Sequence, residues 1–513
     1  MNFVNGGADG SPSKVKAARD AAQSMLRSTL SPTKQTAAAT TSLESTFSSL
    51  FIDEVSAPLA QESEDGNVEY KRCLVNPSTE RLQHLTTQMH YRLTEGEGEC
   101  IYQIGFDDNG DAIGISEDAM SASLHTLDTM AARLNATTKL LRLRAGTSEA
   151  SRTAEVLVRL LPTELHGSIE LRVAVVGNVD SGKSTLIGVL TKGSLDNGRG
   201  SARSHCFRHK HEVDSGRTSS VSHGCMGFDP DGGVTNYNPE SLRANSMADV
   251  MGKSTKLVNF IDLAGHERYL KTTVFGLTGN MPDYSMIMLG ANMGVQKMTK
   301  EHLGLTLSLQ IPFFVCITKV DIAPKEVRVD TIKRMRAILK SKGVKKLPYM
   351  MKTEDDVVNC AKNMSQHTRL VPMIQVSNVT GQGLDLLRLF LNLLPSKQEW
   401  QRASHDEGVE FWIDDHFQIT GVGVVVSGNM FKGSLAAGTK TATQLMLGPD
   451  EFGKFRPVIM KSIHTRGIPV ARVQAGMSAS FAVKAVPGTK EGKVERSNIR
   501  KGMVLMDAKS NPR

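Results

Sequence analysis

The sequence predicts a multidomain chain: a disordered tail, a small α+β module, a central α/β domain with a mostly parallel sheet, and an antiparallel β-barrel. Three observations carry this. Short β-rich apolar runs between 171 and 377 alternate with helical segments, the arrangement of βαβ units. A glycine-rich word, Gly177-Asn-Val-Asp-Ser-Gly182-Lys183-Ser184, joins the first run to its helix. From about 409 helical periodicity stops, and short strands with Gly-rich turns take over.

The 513 residues leave room for about three domains. A hydrophobic content of 40% excludes a collagen or a wholly disordered chain. No window approaches the ~18 uninterrupted apolar residues of a membrane-spanning helix, so no membrane partner is expected. A net charge of +8 permits an anionic partner such as RNA without demanding one. The cysteines are scattered, with no Cys-x-x-Cys pair, as in a cytoplasmic protein with reduced thiols.

Residues 1–66 are rich in Ser, Ala, Thr and Gly and read as a disordered tail. In its first 43 residues Lys14, Lys16, Arg19, Arg27 and Lys34 stand against only Asp9 and Asp20, the acid-poor look of a transit peptide. No Arg-faced helix follows, so a plain tail is the reading and organellar import the alternative. Residues 67–162 read as the α+β module. A helix is expected over 78–93, then a hairpin in which Glu99–Gly105 and Ala112–Ile115 flank Asp108-Asn109-Gly110. Ser116 caps a second helix whose apolar face is Met120, Leu124, Leu127, Met130 and Leu134, a core face.

The α/β domain is expected over 169–398. Its strands are Leu171–Gly177, Leu257–Leu263, Tyr284–Leu289, Phe313–Thr318 and Met373–Ser377; its helices are 182–191, 266–278, 299–310, 327–342 and 383–394. One barrel fits in 409–510. Only Met506 to Arg513 follow the strand-like Lys501-Gly-Met-Val-Leu505, so a further domain is expected to be missing.

The word at 177–184 is a P-loop in strand–loop–helix context. Inward-turned N–H groups and the helix N-terminus cradle phosphate oxygens. The binding segment is Asn178, Val179, Asp180, Ser181, Gly182, Lys183, Ser184 and Thr185. Lys183 reaches the β/γ-phosphates and Ser184 sets its hydroxyl on Mg²⁺. Further words follow in the order that a GTPase needs. Asp262-Leu-Ala-Gly265 offers a carboxylate to the metal and an N–H to the γ-phosphate. Thr318-Lys319-Val-Asp321 offers a carboxylate that accepts from guanine N1–H and the exocyclic amine together. In Ser377-Asn378-Val379 a backbone N–H meets guanine O6. Thr218, in Gly216-Arg217-Thr218, is the switch residue that joins Mg²⁺ in the triphosphate state. The expected cofactors are GTP/GDP and Mg²⁺, and this makes the central unit a P-loop G domain.

With Asn-Val-Asp inside the P-loop and His266 after Gly265, the set resembles translational GTPases of the elongation factor Tu and one-alpha class. It is similar more closely to the GTP-binding protein 1 and 2 family. Leu195-Asp-Asn-Gly-Arg-Gly200, Phe207-Arg-His-Lys-His-Glu212, Ser215-Gly-Arg-Thr-Ser-Ser-Val221, Tyr269-Leu-Lys-Thr-Thr-Val-Phe-Gly276, Met298-Thr-Lys-Glu-His-Leu-Gly-Leu305 and Ser497-Asn-Ile-Arg-Lys-Gly-Met503 carry that likeness, which runs from about 90 to 510. The resemblance implies a catalytic role for His266, orienting the water that attacks the γ-phosphate, against the plainer reading of a surface histidine on a switch loop. It implies that Asp414, Asp415 and Phe417 help hold the aminoacylated end of tRNA, against an ordinary barrel edge. His464 departs, standing where elongation factor Tu usually has Glu.

Two more departures matter. The usual Asn of the guanine motif is Thr318, which has one hydroxyl where Asn has an amide; the closer family also reads Thr. Arg217 replaces an apolar residue that screens the catalytic histidine, leaving Val179 as one half of that gate. His205, Cys206, His209, His211, His223 and Cys225 fit no standard zinc spacing. With Arg199, Arg203, Arg208 and Lys210 they read as a basic switch loop that faces RNA or solvent.

The expected function is a GTP-binding protein with GTPase activity of translation-factor type, acting with tRNA, mRNA or the ribosome. The alternative is a nucleotide-gated RNA-binding or mRNA-surveillance factor with slow turnover. Asp321 disfavours a P-loop ATPase or kinase.

Overall fold

A computed structural model of the chain describes residue 62 and residues 66–507, apart from 148–150, 163–167, 208–209, 217, 239–240, 242, 367, 397–407, 438–443 and 487–493. The tail expected over 1–66 falls almost wholly outside the described residues, as do Arg208, His209 and Arg217.

Strands β1 (Val68–Lys71), β2 (Glu99–Ile104), β3 (Ala136–Ala145) and β4 (Arg152–Leu160) form a sheet of order β1-β2-β4-β3. β1 and β2 are parallel, the other pairs antiparallel. Helices Thr79–Glu95 and Glu117–Arg133 cover one face. Ser78 and Ser116 cap them by accepting from the N–H groups of Arg81 and Ala119, each satisfying a donor the first turn leaves open. Leu85, Met89, Met120, Leu127 and Met130 pack against Cys100, Tyr102, Ile104, Val156 and Val158.

The hairpin expected across Asp108-Asn109-Gly110 is corrected. The turn exists, with Gly110 N–H donating to Asp107 O at 2.8 Å, but Ala112–Ile115 forms no strand. Only Ile115 makes a bridge, to Arg152. That arm is four residues long and holds Gly114, which has no side chain to pack. β4 offers β2 a continuous Val/Leu-rich partner instead, from Glu99 opposite Arg159 to Ile104 opposite Ala154.

The other face of this sheet is polar in sequence and buried in the structure. Glu99, Gln103, Glu155 and Arg159 alternate with the core residues, as the two-residue period of a strand requires, and all four are buried. They meet the central domain. The Glu99 carboxylate accepts from Arg159 Nη2 and from Lys256 Nζ, both at 2.8 Å. Arg159 donates onward to Asn392 Oδ1 at 3.0 Å. Glu155 pairs with Arg142 at 2.6 Å, and Arg142 donates to Asn359 Oδ1 at 2.7 Å. Between these polar pairs, Ile101 and Leu157 join the central core.

The central domain contains β5 (Ile169–Gly177), β6 (Ser222–Phe228), β7 (Lys256–Asp262), β8 (Tyr284–Gly290), β9 (Phe313–Thr318), β10 (Leu347–Met350) and β11 (Leu370–Gln375), in the order β10-β11-β9-β8-β5-β7-β6. All pairs are parallel except β6 with β7. Helices Lys183–Lys192, Glu354–Gln366 and Leu384–Leu393 bury one face of the sheet, and Leu270–Gly279, Lys297–Ser308 and Lys325–Lys340 the other. β6, β10 and the helix Glu354–Gln366 add to the expected elements. β6 reads Ser-His-Gly-Cys-Met-Gly-Phe, whose glycines weaken any strand signal; edge pairing with β7 makes it a strand. The carboxyl ends of β5, β7, β9 and β11 share one edge, where ligands of parallel sheets bind.

Beyond 409 lie β12 (Glu410–Ile419), β13 (Gly423–Lys432), β14 (Ser434–Ala436), β15 (Gln444–Gly448), β16 (Arg456–Thr465), β17 (Ile468–Pro469), β18 (Arg472–Gln474), β19 (Ser478–Ala485) and β20 (Val504–Asp507). The order β15-β20-β12-β13-β19-β16 closes through pairing of β15 with β16, giving an antiparallel barrel. Phe411 and Phe481 meet in its core, ring centroids 4.4 Å apart. The barrel docks on the central sheet. Arg172 of β5 donates to Gly476 O at 2.5 Å, and Arg466 donates to Asn259 Oδ1 of β7 at 2.5 Å. Among the described residues no helix is long and apolar enough to cross a membrane.

Candidate functional site

β5 ends at Gly177, and Asn178–Gly182 turn the chain into the helix Lys183–Lys192. Gly182, at φ 85°, is the N-cap. Asp180 (φ 58°) and Lys319 (φ 59°) share this left-handed region, where non-glycine residues concentrate at functional loops. Lys183 is buried, and its Nζ donates to Gly177 O at 3.1 Å and Asn178 O at 2.9 Å. Burial lowers its pKa to about 8, against the pull of Asp262 and Asp180.

Three oxygen-bearing side chains from three segments meet beside it. Ser184 Oγ donates to Asp262 Oδ2 at 2.5 Å and lies 2.8 Å from Thr218 Oγ1. Desolvation raises the Asp262 pKa to about 6 despite Lys183. Asp262 Oδ1 is buried with no hydrogen-bond partner among the described residues. Two hydroxyls and an unsatisfied carboxylate oxygen are a donor set for a hard dication. A cavity of about 280 Å³ opens over them, lined by Val179, Lys183, Ser184, Thr218, Gly265 and His266 among others. A Cβ at Gly265 would sit 2.5 Å from Lys183 Nζ, so only glycine lets the loop after β7 approach the P-loop this closely.

His266 is exposed. Its Nδ1 accepts from Arg268 N–H at 3.1 Å, and its ring meets Tyr269 edge-on at 6.1 Å. Accepting at Nδ1 puts the proton of the neutral imidazole on Nε2, so the ring presents a donor there.

The guanine words lie next to the phosphate cavity. The single hydroxyl of Thr318 donates to Ser181 O at 2.7 Å and thereby ties the end of β9 to the P-loop. Lys319 follows, and Asp321 is exposed at the same edge. Ser377 Oγ accepts from the N–H groups of Val379 and Thr380, shaping the loop after β11. Asn378 is buried, and its carbonyl accepts from Asp196 N–H at 2.8 Å. Thr185 continues the P-loop helix.

Sequence reasoning passed over Asp196. Its carboxylate accepts from the N–H groups of Gly198, Gly200 and Ala202, holding the Leu195–Gly200 loop against the guanine words. The signal was an Asp opening a Gly-rich turn. His302, buried behind the P-loop, was also missed. Neither ring nitrogen has a partner among the described residues, and burial, helped by Lys183, lowers its pKa to about 3, so the ring is neutral packing. The basic switch loop divides: Arg199 and Lys210 are exposed, while Arg203 lines the phosphate cavity.

A larger cleft of about 810 Å³ lies between the central domain and the barrel. Asp414, Asp415 and Phe417 line its barrel side, and Ser219, Lys271 and Phe275 the other. Asp414 accepts from Ser427 Oγ at 2.8 Å, Asp415 pairs with Lys501 at 3.3 Å, and Phe417 is 42% exposed. Ser219, next to Thr218, lines both the cleft and the phosphate cavity.

Residues 170–396 match the family described as elongation factor Tu GTP binding domain. GTP-binding protein 1 of Xenopus laevis is 45% identical over 455 residues, covering 89% of this chain and 67% of that protein. GTP-binding protein 2 of Mus musculus is 42% identical over 459 residues, covering 88% of this chain and 73% of that protein. A crystal structure of a bacterial selenocysteine-specific elongation factor superposes over 67% of this chain and 45% of that one, at 18% identity and a TM-score of 0.46. With the P-loop, the Asp262 and Asp321 words and the barrel on one chain, and 42% to 45% identity across most of both relatives, the protein is a GTPase of translation-factor type and belongs to the GTP-binding protein 1 and 2 family.

Proposed function

We propose that this GTPase is a Mg²⁺-dependent switch of the translation apparatus, and that its cleft between G domain and barrel holds the end of a tRNA in the GTP-bound state. One observation carries the reading: Ser219 is a wall common to cleft and phosphate cavity, one residue from Thr218. A change at the γ-phosphate would therefore move the wall of the cleft.

Ser184, Thr218 and Asp262 would hold Mg²⁺; the unsatisfied Asp262 Oδ1 and the two neighbouring hydroxyls fit it. When bound, the ion draws off charge from the β- and γ-phosphate oxygens. Asn178 to Thr185 would wrap the phosphates, and the Gly265 N–H would meet the γ-phosphate. His266 would orient the attacking water through its Nε2–H, with no covalent intermediate. Thr318, Lys319, Asp321 and Ser377 to Val379 would enclose guanine. Asp414, Asp415 and Phe417 would contact the tRNA end, with Lys271 and Lys501 nearby for its phosphates. A cytoplasmic location and ribosome engagement belong to the same proposal.

The test is GTP turnover with and without ribosomes, together with filter binding of aminoacyl-tRNA to the GTP-bound chain. Stimulation of tenfold or more, with tRNA bound in the GTP and not the GDP state, is expected. Turnover indifferent to ribosomes and no tRNA binding at near-physiological salt would remove the translational role.

Guanine selection has its own test. In Asp321→Asn, two carboxylate acceptors become one acceptor and one donor. GTP should weaken by about tenfold or more and xanthosine triphosphate should improve, since a lost charged contact costs about 1.5–3 kcal/mol. Competition against a fluorescent GDP measures both; unchanged GTP affinity would take Asp321 out of the base site.

A further inference from the structure

We propose that Arg203 is a catalytic arginine supplied by this chain itself, reaching the phosphates of GTP from the switch loop. Arg203 sits in the short turn Ser201–Cys206 and lines the same cavity as Lys183, Thr218, Gly265 and His266. The sequence counts it among the basic residues of a loop facing RNA or solvent. The structure turns it inward, half-buried, while Arg199 and Lys210 stay exposed.

Its path is shaped by two glycines. A Cβ at Gly200 would lie 2.6 Å from Arg203 Nε, and a Cβ at Gly216 would lie 2.7 Å from Nη2. Real Cβ atoms do not come so near, so a side chain at either position would push the guanidinium out of this place. Its scaffold is tied down at both ends. Asp196 accepts from the N–H groups of Gly200 and Ala202, just before the turn's arginine. At the far end Cys206 Sγ donates to Ser184 O at 3.3 Å. Ala202 is buried against the P-loop helix, where a Cβ at Gly188 would sit 2.1 Å from Ala202 O. The turn that carries Arg203 is thus held by the P-loop helix itself, which fixes where the arginine starts.

The guanidinium has no hydrogen bond or ion pair among the described residues. It shares a cavity with the cation of Lys183, whose neighbouring carboxylates are Asp262, engaged by Ser184, and Asp180. A guanidinium that opens into this cavity offers a planar fork that matches a phosphate edge. Arg268 also borders the cavity, but it is exposed and lies over the Tyr269 ring at 6.0 Å.

In the reaction, the water oxygen bonds to the γ-phosphorus as the bond to the β,γ-bridging oxygen breaks. That bond's electron pair stays on GDP, and the water proton leaves with inorganic phosphate. Arg203 changes no bond; it faces charge that grows on the oxygens around the breaking bond, as arginine fingers do.

The experiment compares wild type, Arg203→Ala and Arg203→Lys in the full chain. Single-turnover hydrolysis of pre-bound GTP gives the rate; a fluorescent GDP and a non-hydrolysable GTP analogue give affinities; aluminium fluoride with GDP reports transition-state complementarity. Arg203→Ala should lose tenfold or more in hydrolysis rate, keep GDP affinity within about threefold, and lose the aluminium fluoride complex. Arg203→Lys should recover part of the rate, and added guanidinium ion should partly rescue Arg203→Ala. Gly216→Ala, which pushes the guanidinium aside, should copy the rate defect with GDP still bound. An unchanged rate would overturn the proposal. So would a parallel loss of GDP and GTP-analogue affinity with no rate defect in the bound state, which would make Arg203 a scaffold residue.

Discussion

Replacing His266 by alanine is expected to slow hydrolysis of bound GTP by about a hundredfold or more, the scale of one deleted transition-state donor, and to leave GDP affinity within about threefold. The separation follows from where the ring sits. Among the described residues His266 has no hydrogen bond to Ser184, Thr218, Asp262 or the guanine words; its hydrogen-bonded nitrogen is Nδ1, which accepts from Arg268 N–H at 3.1 Å. The ring therefore contributes to nucleotide retention only indirectly. With Nδ1 occupied, Nε2 is a donor, so the imidazole would act by orienting water and charge rather than by pulling a proton through that nitrogen. His266→Gln, which keeps a donor at similar reach, should hold more of the rate than His266→Ala. The measurement is single-turnover hydrolysis in the presence of ribosomes, with GDP binding as the control for folding. A His266→Ala variant that hydrolyses at the wild-type rate would exclude this residue from the chemistry.

Legibility in the sequence tracked how local the physics is. The P-loop, the strand-end words and the five main strands of the G domain were readable because each pairs a local propensity with a fixed spacing. Phe313–Thr318 was bounded to the residue, and Ser116 was visible as a cap. The hairpin at Asp108-Asn109-Gly110 failed because a good turn does not choose its strand's partner; the longer β4 did. β6 was invisible because its glycines carry no side-chain signal and its order comes from β7. At the site, the type of residue was legible and its direction was not. Arg203 was counted with the exposed Arg199 and Lys210 because charge alone says nothing about which way a switch loop folds. The tie from Thr318 to Ser181 O was equally hidden, although the hydroxyl needed for it was plain.

The module at 67–162 gives the second large effect, because one face of its sheet is buried against the G domain. Its sheet has an apolar face under the helices and a polar face against the G domain. At the centre of the polar face Glu99 holds two cations, Arg159 and Lys256, with side chains at most 3% exposed. Lys256 also donates to Leu394 O, and Arg159 to the carbonyl of Asn392. Glu99→Ala removes the carboxylate from both cations without giving them water. Breaking a buried ion pair from one side costs about 3–5 kcal/mol, and this site leaves two charges behind. The first unfolding transition should fall by that amount in a denaturant titration, and its midpoint should drop with it. A change under about 1 kcal/mol would mean that the module does not depend on this network.

The loss should also depend on pH. Desolvation already lowers the Lys256 pKa to about 8, with Glu99 opposing it. Without Glu99 the folded pKa falls further below the unfolded value. The unfolded chain then binds more protons than the folded one, so raising the pH stabilises the folded variant. Wild type gains little from Lys256 until about pH 8, whereas the variant starts gaining lower. The gap between them should therefore narrow as pH rises from about 6 to 8, by up to about 1.4 kcal/mol per unit where only the variant has shed the proton. A gap that stays constant over that range would show that Lys256 keeps its charge by contacts other than Glu99, and would move the energetic centre of the interface to Arg159.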